Sequence, residues 1–355
     1  MLYALILAGG RGTRLYPLSR KDNPKQFLKI FDDKSFLRCT VDRIKQLINK
    51  ENIYIVTNET YLAKVREEVP EIEASNIFVE PQNKETATCI GLSAIKLLKK
   101  DSDATMIVLP SDHHIEGENE FIDTLKQAID VVARRKALVT IGFAPTRAET
   151  AYGYIQMGEK INGINETYKV ERFLEKPNNE VAKDLLFKGT YLWNSGMFIW
   201  RADVYLRECE KYLPKLYKAL MEITKHLNSD IEYEVIKDQY NLIDGISVDF
   251  GIMQKTRKAF VVKSEFTWDD IGSFAALGRF LDGISGNNIK GNAYLEDSKD
   301  CCVFGGKKLI LGFGLSNLVV VDTDDVILIM DKNKDQEIKM LLEKMKLKNE
   351  YLKYL

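Results

Sequence analysis

The sequence predicts a doubly wound α/β fold with a mostly parallel sheet, followed by a small β-rich C-terminal domain. Three patterns predict it. Short Val/Ile/Leu runs alternate with helical periodicities over residues 1–143. A glycine-rich turn follows directly on the first apolar run. Beyond residue 290 the helical signals give way to closely spaced short strands that end in one amphipathic segment.

The N-terminal YALILAGG reads as a buried strand that ends in the glycine turn. NIYIVTN (52–58), NIFVEP (76–81), ATMIVLPSDH (104–113) and ALVTIGF (137–143) are the next four strands. Between them, FLRCTVDRIKQLI places Leu37, Val41, Ile44 and Ile48 on one helical face, and CIGLSAIKLLKK and FIDTLKQAIDVVARR repeat the pattern. Apolar strands alternating with helices call for a sheet covered on both faces. Such sheets bind ligands beyond the carboxyl ends of their strands. LAGG, EP and PSDHH all lie at such ends, so one crevice is expected to collect them. After residue 150, YGYIQMG, YKVERFLEKP and YLWNSGMFIWRA read as strands and loops, with helical stretches near 203–240. The polar GISGNNIK (283–290) marks a boundary, giving domains of 1–282 and 283–355. NAYLEDS, CCVFGG, KLILGFG, NLVVVDT and DVILIMD then follow as strands of a small all-β unit or coil. Last, Ile338, Leu341, Leu342 and Met345 recur at helical spacing, as in a terminal helix that packs one face on the body.

Composition narrows the function classes. A chain of 355 residues, 45% hydrophobic and 29% charged, is expected to be soluble and to build more than one core. Its formal net charge of -1 lacks the basic excess of a general nucleic-acid or membrane-surface binder. Cys39, Cys89, Cys209, Cys301 and Cys302 form no CxxC pair, so reduced thiols are expected. Cys301 and Cys302 in a strand would point to opposite faces, which argues against joint metal binding. No apolar run reaches the ~18 residues of a membrane span. Leu2 to Ala8 is too short for a secretory segment and has no basic flank, so a cytoplasmic location is expected.

The stretch LAGGRGTRLYPLSRKDNPKQF (7–27) carries the strongest chemical signal. It is not a Walker loop, because no Lys-Ser/Thr pair follows the glycines. It is not a dinucleotide fingerprint either, because Gly10 and Gly12 are followed by Leu15 where a third glycine is needed. The glycines still let backbone N–H groups approach an anion. Thr13 adds a hydroxyl, and Arg14 offers a planar fork suited to phosphate oxygens. Pro17 and Pro24 stiffen the loop, and Lys25 ends it. A polyphosphate is the expected guest.

This stretch resembles the signature of the sugar-nucleotide pyrophosphorylases, and its version is most similar to that of the mannose-1-phosphate guanylyltransferases. VEPQNKETA, VLPSDHHI, YGYI, RFLEKP, WNSGMFIW, SVDFGIM and TWDDIGSF match in order, from residue 1 to about 330. The resemblance implies a Rossmann-like nucleotidyltransferase domain and a C-terminal short left-handed β-helix, which in this family often mediates dimer contacts. It implies transfer of GMP from GTP to α-D-mannose 1-phosphate, with release of pyrophosphate and with Mg²⁺ as cofactor. A homodimer is expected, with neither nucleic-acid nor membrane partner. The same chemistry on another hexose or heptose 1-phosphate is the near alternative. A non-catalytic nucleotide-sugar sensor is the distant one, and Arg14, Lys25, Asp112, Lys176 and Asp270 speak against it.

Residue roles follow from the same resemblance. Two anions must meet, and at ~4 Å with an effective dielectric of ~20 each like-charge pair costs about 4 kcal/mol. Arg14 is implied to orient the leaving β- and γ-phosphates, and Lys25 to sit on the α-phosphate. Asp112 and Asp270 are implied to share the metal, with Asp270 preferred to Asp269 because the family's Trp-x-Asp pattern selects it. Mg²⁺ takes one or two carboxylates together with phosphate oxygens and water. His113 and His114 diverge in an extended segment and lack a third ligand, so loop hydrogen bonding is favoured over zinc. Leu7, Ala8, Gly9, Gly10, Gly12 and Thr13 line the nucleotide, and Glu80, Glu85, Thr86 and Ala87 lie where the family reads the base. Glu85 is the expected acceptor for guanine's N1–H and 2-amino donors, although backbone carbonyls could serve equally. On the sugar side, Gly153 presents backbone, Glu175 and Asn194 bind hydroxyls, Lys176 binds the phosphate, Gly196 allows close approach and Asp249 supports. Trp193, Trp200 and Trp268 are expected to pack. The chain departs from its relatives at Lys84-Glu85, where Arg-Asn is usual, at Thr88, and at Ala148 and Ala151.

Overall fold

The computed structural model describes residues 1–10, 12–281, 283, 284 and 286–355; Asp282, at the expected domain boundary, lies outside them, as do Arg11 and Ser285. The chain forms two compact units. Met1–Gly9, Leu37–Ser111 and Ile115–Trp268 make the first; Gly10–Phe36, Asp112–His114 and Asp269–Leu355 make the second.

Eleven strands span the chain up to residue 269: β1 (Leu2–Leu7), β2 (Ile53–Asn58), β3 (Ile77–Glu80), β4 (Thr105–Pro110), β5 (His114–Glu116), β6 (Leu138–Phe143), β7 (Tyr154–Lys160), β8 (Thr167–Leu174), β9 (Tyr191–Arg201), β10 (Ala259–Ser264) and β11 (Thr267–Asp269). In the first unit, nine of them form one sheet in the order β3-β2-β1-β4-β9-β6-β10-β8-β7. β1 to β4 run parallel to one another, as do β6 and β10. β9 is inserted antiparallel between β4 and β6, and β8 runs against β10 and β7. The continuous apolar runs sit at the centre: Tyr3 to Ile6 and Met106 to Val108 are fully buried, as strands covered on both faces must be.

The helices of this region are α1 (Phe36–Ile44), α2 (Leu62–Glu68), α3 (Glu85–Lys100), α4 (Glu118–Arg135), α5 (Asn179–Lys188), α6 (Ala202–Tyr212), α7 (Pro214–Lys225), α8 (Glu232–Leu242) and α9 (Phe274–Gly278). α3 begins earlier than its apolar periodicity, so Glu85, Thr86 and Ala87 form its first turn instead of a loop. The Ala87 N–H donates to the Ile246 carbonyl at 3.1 Å, an outside acceptor that satisfies a donor the helix start leaves open.

In the second unit, Leu15, Tyr16, Leu28 and Phe36 share a core with Ile271, Phe274, Leu277, Cys302, Phe304, Val319 and Val321. The C-terminal strands are β12 (Gly283–Ile284), β13 (Asn287–Lys290), β14 (Ala293–Glu296), β15 (Cys302–Phe304), β16 (Ile310–Phe313), β17 (Leu318–Asp322) and β18 (Ile327–Asp331). β13, β15 and β17 stack in parallel with Ile289, Val303 and Val320 in register, while β14 and β16 stack in parallel as a second sheet. Strands that alternate between two parallel stacks make a coil, and antiparallel β18 ends it. Cys302 packs into the larger core and Cys301 into a separate cluster with Val303 and Val320, so the two thiols do face opposite ways. The terminal helix α10 (Ile338–Lys346) buries Ile338 and Leu342 and packs Met345 beside them. Leu341, expected on the same face, is 43% exposed: at ~100° per residue it lies about 60° off the Ile338 line.

Candidate active site

Lys25 organises the charged cluster of the second unit. Pro24 leads into a short turn, Lys25–Phe27, and the lysine side chain is only 6% exposed. Its ammonium donates to Asp112 Oδ2 at 3.0 Å and to the carbonyl of Asp270, and lies 5.6 Å from the Phe36 ring centre. Burial pushes the Asp112 carboxyl up, but the Lys25 and His113 charges and the hydrogen bonds to the carboxylate together outweigh it, and the group ends below its usual range. Burial lowers the His113 imidazole, with Asp112 pulling the other way. His114 packs between Phe31 and Phe280, with ring centres 4.1 and 4.6 Å away.

Gly12 makes this packing possible. Its φ is +54°, and a Cβ there would stand 2.5 Å from Lys25 Cβ and 2.8 Å from Lys25 N. No other residue satisfies both the left-handed backbone and the close approach. The loop closes on itself through Ser19 Oγ to the Gly12 carbonyl and Gln26 Nε2 to the Gly10 carbonyl. Thr13 and Arg14 lie in the short turn Thr13–Leu15. Arg14 is half-buried and has no carboxylate partner among the described residues; its Nη1 would lie 3.4 Å from a Cβ on Gly272.

The two neighbouring aspartates behave differently. Asp269 is buried, accepts from the Ile271 N–H at 2.8 Å and pairs with Arg279. Asp270 accepts from the Gly272 N–H at 2.9 Å and gives its carbonyl to Lys25. Ile271 follows with φ +45°, a backbone state that a β-branched residue enters only under strain. Among the described residues, no group of three or more His, Cys, Asp or Glu side chains is placed to hold a metal.

The first unit carries the residues expected on the sugar side and at the base. Glu175 has a side chain 6% exposed: Oε1 accepts from Lys176 Nζ at 2.6 Å, and Oε2 is buried with no partner. Gly153 lies against it, since a Cβ there would sit 2.4 Å from Oε2 and 3.2 Å from Asn194 Cβ. Lys176, exposed, holds φ +47°. Asn194 Nδ2 donates to Asp249 Oδ1 at 2.9 Å. Burial pushes the Asp249 carboxyl up to about 7, the Glu175 carboxylate adds to the rise, and Lys176 works against it. Asp249 opens a single π-helical turn, Asp249–Met253, a form common at functional sites.

Of the residues expected at the base, Glu80 is buried, accepts from the Tyr240 hydroxyl at 2.8 Å, and is pushed by burial up to about 8. Glu85 is exposed with φ +63°, and its N–H donates to Asn83 Oδ1 at 3.0 Å. Thr86 Oγ1 accepts from the Val248 N–H at 2.8 Å, and Lys84 Nζ donates to the Ile243 carbonyl at 2.9 Å. Leu7 and Ala8 have backbone groups engaged in the sheet: the Leu7 carbonyl accepts from Ser111, and Ala8 N–H donates to Val56. Trp193, Trp200 and Trp268 are all buried, and Trp268 stacks on Phe143 with ring centres 5.0 Å apart.

The segment 240–249 joins the residues expected at the base to those expected at the sugar, and residue types alone do not point to it. Val248 bonds Thr86, and the next residue, Asp249, bonds Asn194. Most of its bonds use backbone atoms, which leave no residue-type signature.

Residues 3–284 match the family described as Nucleotidyl transferase, and residues 291–345 match the MannoseP isomerase/GMP-like beta-helix domain. A mannose-1-phosphate guanylyltransferase of Escherichia coli is 36% identical over 352 residues, covering 98% of this chain and 74% of its own length. The enzyme of the same name from Salmonella typhimurium is 36% identical, over 98% of this chain and 73% of its own. A crystal structure from Thermus thermophilus, described as a mannose-1-phosphate geranyltransferase, superposes with a TM-score of 0.87 at 30% identity, over 97% of this chain and 99% of that one.

Proposed function

The chain belongs to the nucleotidyl transferase family, among the mannose-1-phosphate guanylyltransferases, and on that premise we propose that it transfers GMP from GTP to α-D-mannose 1-phosphate. GDP-mannose forms and pyrophosphate leaves. The observation that carries the residue assignment is the buried Lys25 ammonium, bonded at once to the Asp112 carboxylate and the Asp270 backbone.

In this reading a phosphate oxygen of mannose 1-phosphate attacks the α-phosphorus in line as the bond to the β-phosphate breaks. The nucleophile is already ionised, so no general base is required. Positioning and charge neutralisation then supply the catalysis. Lys25 faces the α-phosphate from a fixed position. Arg14, which no carboxylate holds among the described residues, takes the leaving β- and γ-phosphates. Glu175, Asn194 and Asp249 bind the sugar, Gly153 and Gly196 admit it closely, and Lys176 holds its phosphate. Gly9, Gly10, Gly12 and Thr13 cradle the nucleotide, with Glu80, Glu85 and Thr86 at the base. Ala87 lines that site by packing, because its N–H is already engaged.

The donor set suits a hard divalent cation, Mg²⁺ in this reading. Asp112 is held as an anion, and two carboxylates without a third amino-acid ligand match an ion that takes its remaining oxygens from phosphate and water. Asp112 and Asp270 would hold it, and it would offset the charge of the two reacting anions.

Residues 1–282 are assigned to catalysis and 283–355 to support and assembly. Tyr294, Leu311 and Phe313 stand exposed on the β14–β16 stack, and a second copy of this chain is the assigned occupant of that face. None of the five cysteines is in a disulfide, which suits the reducing cytoplasm where GTP and sugar phosphates are held. Pyrophosphate release should be measured with GTP, ATP, UTP and dTTP against mannose, glucose and manno-heptose 1-phosphates, with and without EDTA. GTP with mannose 1-phosphate should be the best pair, and EDTA should abolish turnover until Mg²⁺ is restored. A better pair elsewhere, or EDTA-resistant turnover, refutes the substrate or the metal assignment.

A further inference from the structure

We propose that Thr140 is a positioning residue for sugar recognition: with the bulge in β9, its buried hydroxyl fixes the Asn194 amide so that the sugar meets an N–H donor and not a carbonyl. The inference rests on Asn194 and Asp249 being sugar-binding groups.

The β6–β9 ladder pairs Thr140 with Phe198 and Gly142 with Asn194, so two steps on β6 oppose four on β9. The extra residues form a bulge, a device that bends a strand and re-aims a side chain. Gly196 within it holds φ +71°. The bulge is pinned from β6. Ser195 Oγ donates to the Ile141 carbonyl at 2.7 Å and accepts from the Met197 N–H at 3.1 Å.

Thr140 is fully buried, and its hydroxyl lies 2.9 Å from Asn194 Oδ1 and 3.0 Å from the Met197 carbonyl. The Gly196 N–H also donates to Asn194 Oδ1, at 3.3 Å. The amide oxygen therefore faces the Gly196 N–H and a Thr140 O–H whose one proton is shared with the Met197 carbonyl, and the amide nitrogen faces the Asp249 carboxyl. Turning the amide over would set its NH₂ against the Gly196 N–H and its oxygen against Asp249 Oδ1. Nδ2 carries a second N–H beyond the one given to Asp249. Beside it, across Gly153, Glu175 Oε2 waits without a partner. A sugar hydroxyl, donor and acceptor at once, complements that pair of groups.

The test compares Thr140→Val, Thr140→Ser and Asn194→Ala by steady-state pyrophosphate release with GTP and Mg²⁺. Thr140→Val should raise KM for mannose 1-phosphate about 5- to 30-fold, the scale of a buried hydrogen bond left unmade. KM for GTP should stay within about two-fold, and Thr140→Ser should restore the sugar KM, since it keeps the hydroxyl. If Thr140→Val does not fold, Thr140→Ala deletes the same hydroxyl with less bulk, and the same split is read from it. A packing role alone would lower the melting temperature and leave the two KM values in proportion, which overturns the proposal. An unchanged sugar KM in Thr140→Val while Asn194→Ala raises it overturns the role of Thr140 alone. An unchanged sugar KM in Asn194→Ala removes the sugar-site reading beneath it.

Discussion

Lys25 and Glu175 are both charged side chains withdrawn from water, and they are held in opposite ways. Lys25 directs its ammonium at a carboxylate and a carbonyl of its own unit, beside an aromatic ring. Glu175 gives one oxygen to Lys176 and keeps the other buried without a donor. A paired, buried cation is a fixed charge that need not reorganise when a triphosphate arrives, which is how preorganised electrostatics lowers a barrier. An unfilled buried acceptor costs about 1–3 kcal/mol until something donates to it. In the proposed reading the Lys25 cation on the phosphate side is paired before any ligand arrives, whereas the Glu175 acceptor on the sugar side is paired by its ligand. Substitutions in the first should therefore fall on kcat, and substitutions in the second on KM for the sugar phosphate.

The largest effects should come from the Lys25 cluster. Asp112→Ala and Asp270→Asn should each lower kcat by at least about 10²–10³, the scale of losing one preorganised charge or donor. Both should still fold, as judged by circular dichroism. Near-normal turnover in either would refute its place in the reaction. Asp269 sharpens the contrast. Its carboxylate serves Arg279 and the Ile271 N–H, so Asp269→Asn should lower stability by about 1–3 kcal/mol with a much smaller loss of kcat in the folded enzyme. Denaturant melts and initial rates on the same preparations separate the neighbours; a larger kcat loss in Asp269→Asn would exchange their roles.

The same contrast explains what was legible in the sequence. The strands and the glycine turn were readable because apolar runs and Gly12 impose local rules. The pairing of Lys25 with Asp112 was approachable because both belong to recognisable motifs. The antiparallel insertion of β9 between β4 and β6 was not, because strand direction is decided by partners far along the chain. The bracing of Thr86 and Ala87 by Val248 and Ile246 was hidden because backbone atoms carry it. Leu341 matched the apolar spacing of α10 yet lies exposed, since a spacing rule admits residues at the margin of a face. Thr140 gave no signal, because a threonine in a buried strand is common and only the bulge opposite gives its hydroxyl a task.

Next in size is the proposed sugar-side pocket. Gly153→Ala would set a methyl 2.4 Å from Glu175 Oε2, so the carboxylate must move from its present position, the one proposed to receive a sugar hydroxyl. Overpacking of this kind costs about 1–3 kcal/mol, which corresponds to roughly ten-fold or more in KM for mannose 1-phosphate. KM for GTP should be unchanged. A matching rise in both constants would mean that Gly153 serves the fold generally, and the contrast between Lys25 and Glu175 would lose its support there.

The smallest effect is a pair of opposite pH slopes in stability. Asp249 titrates in the folded chain near 7, above its ordinary value, because burial and the Glu175 carboxylate disfavour its charge. Between the unfolded value of ~4 and about 7, the folded chain holds a proton that the unfolded chain has released. Stability from this group is present at the acid end and is lost as pH rises through about 7. Asp112 is shifted downward by Lys25, against the upward pull of burial, so its contribution is present above the ordinary carboxylate range and is lost as the solution is acidified below it. Melting temperatures of the ligand-free protein in EDTA, from about pH 3, below the ordinary carboxylate value, to about pH 8, should therefore diverge between variants. Wild type should lose ground to Asp249→Asn as pH rises toward about 7, by a few degrees, and should gain ground on Asp112→Asn as pH rises toward the ordinary carboxylate value of ~4. Parallel curves for Asp249→Asn would mean that its carboxyl is ionised in the folded state throughout. The pocket would then be an ordinary anion site and not one waiting for its ligand.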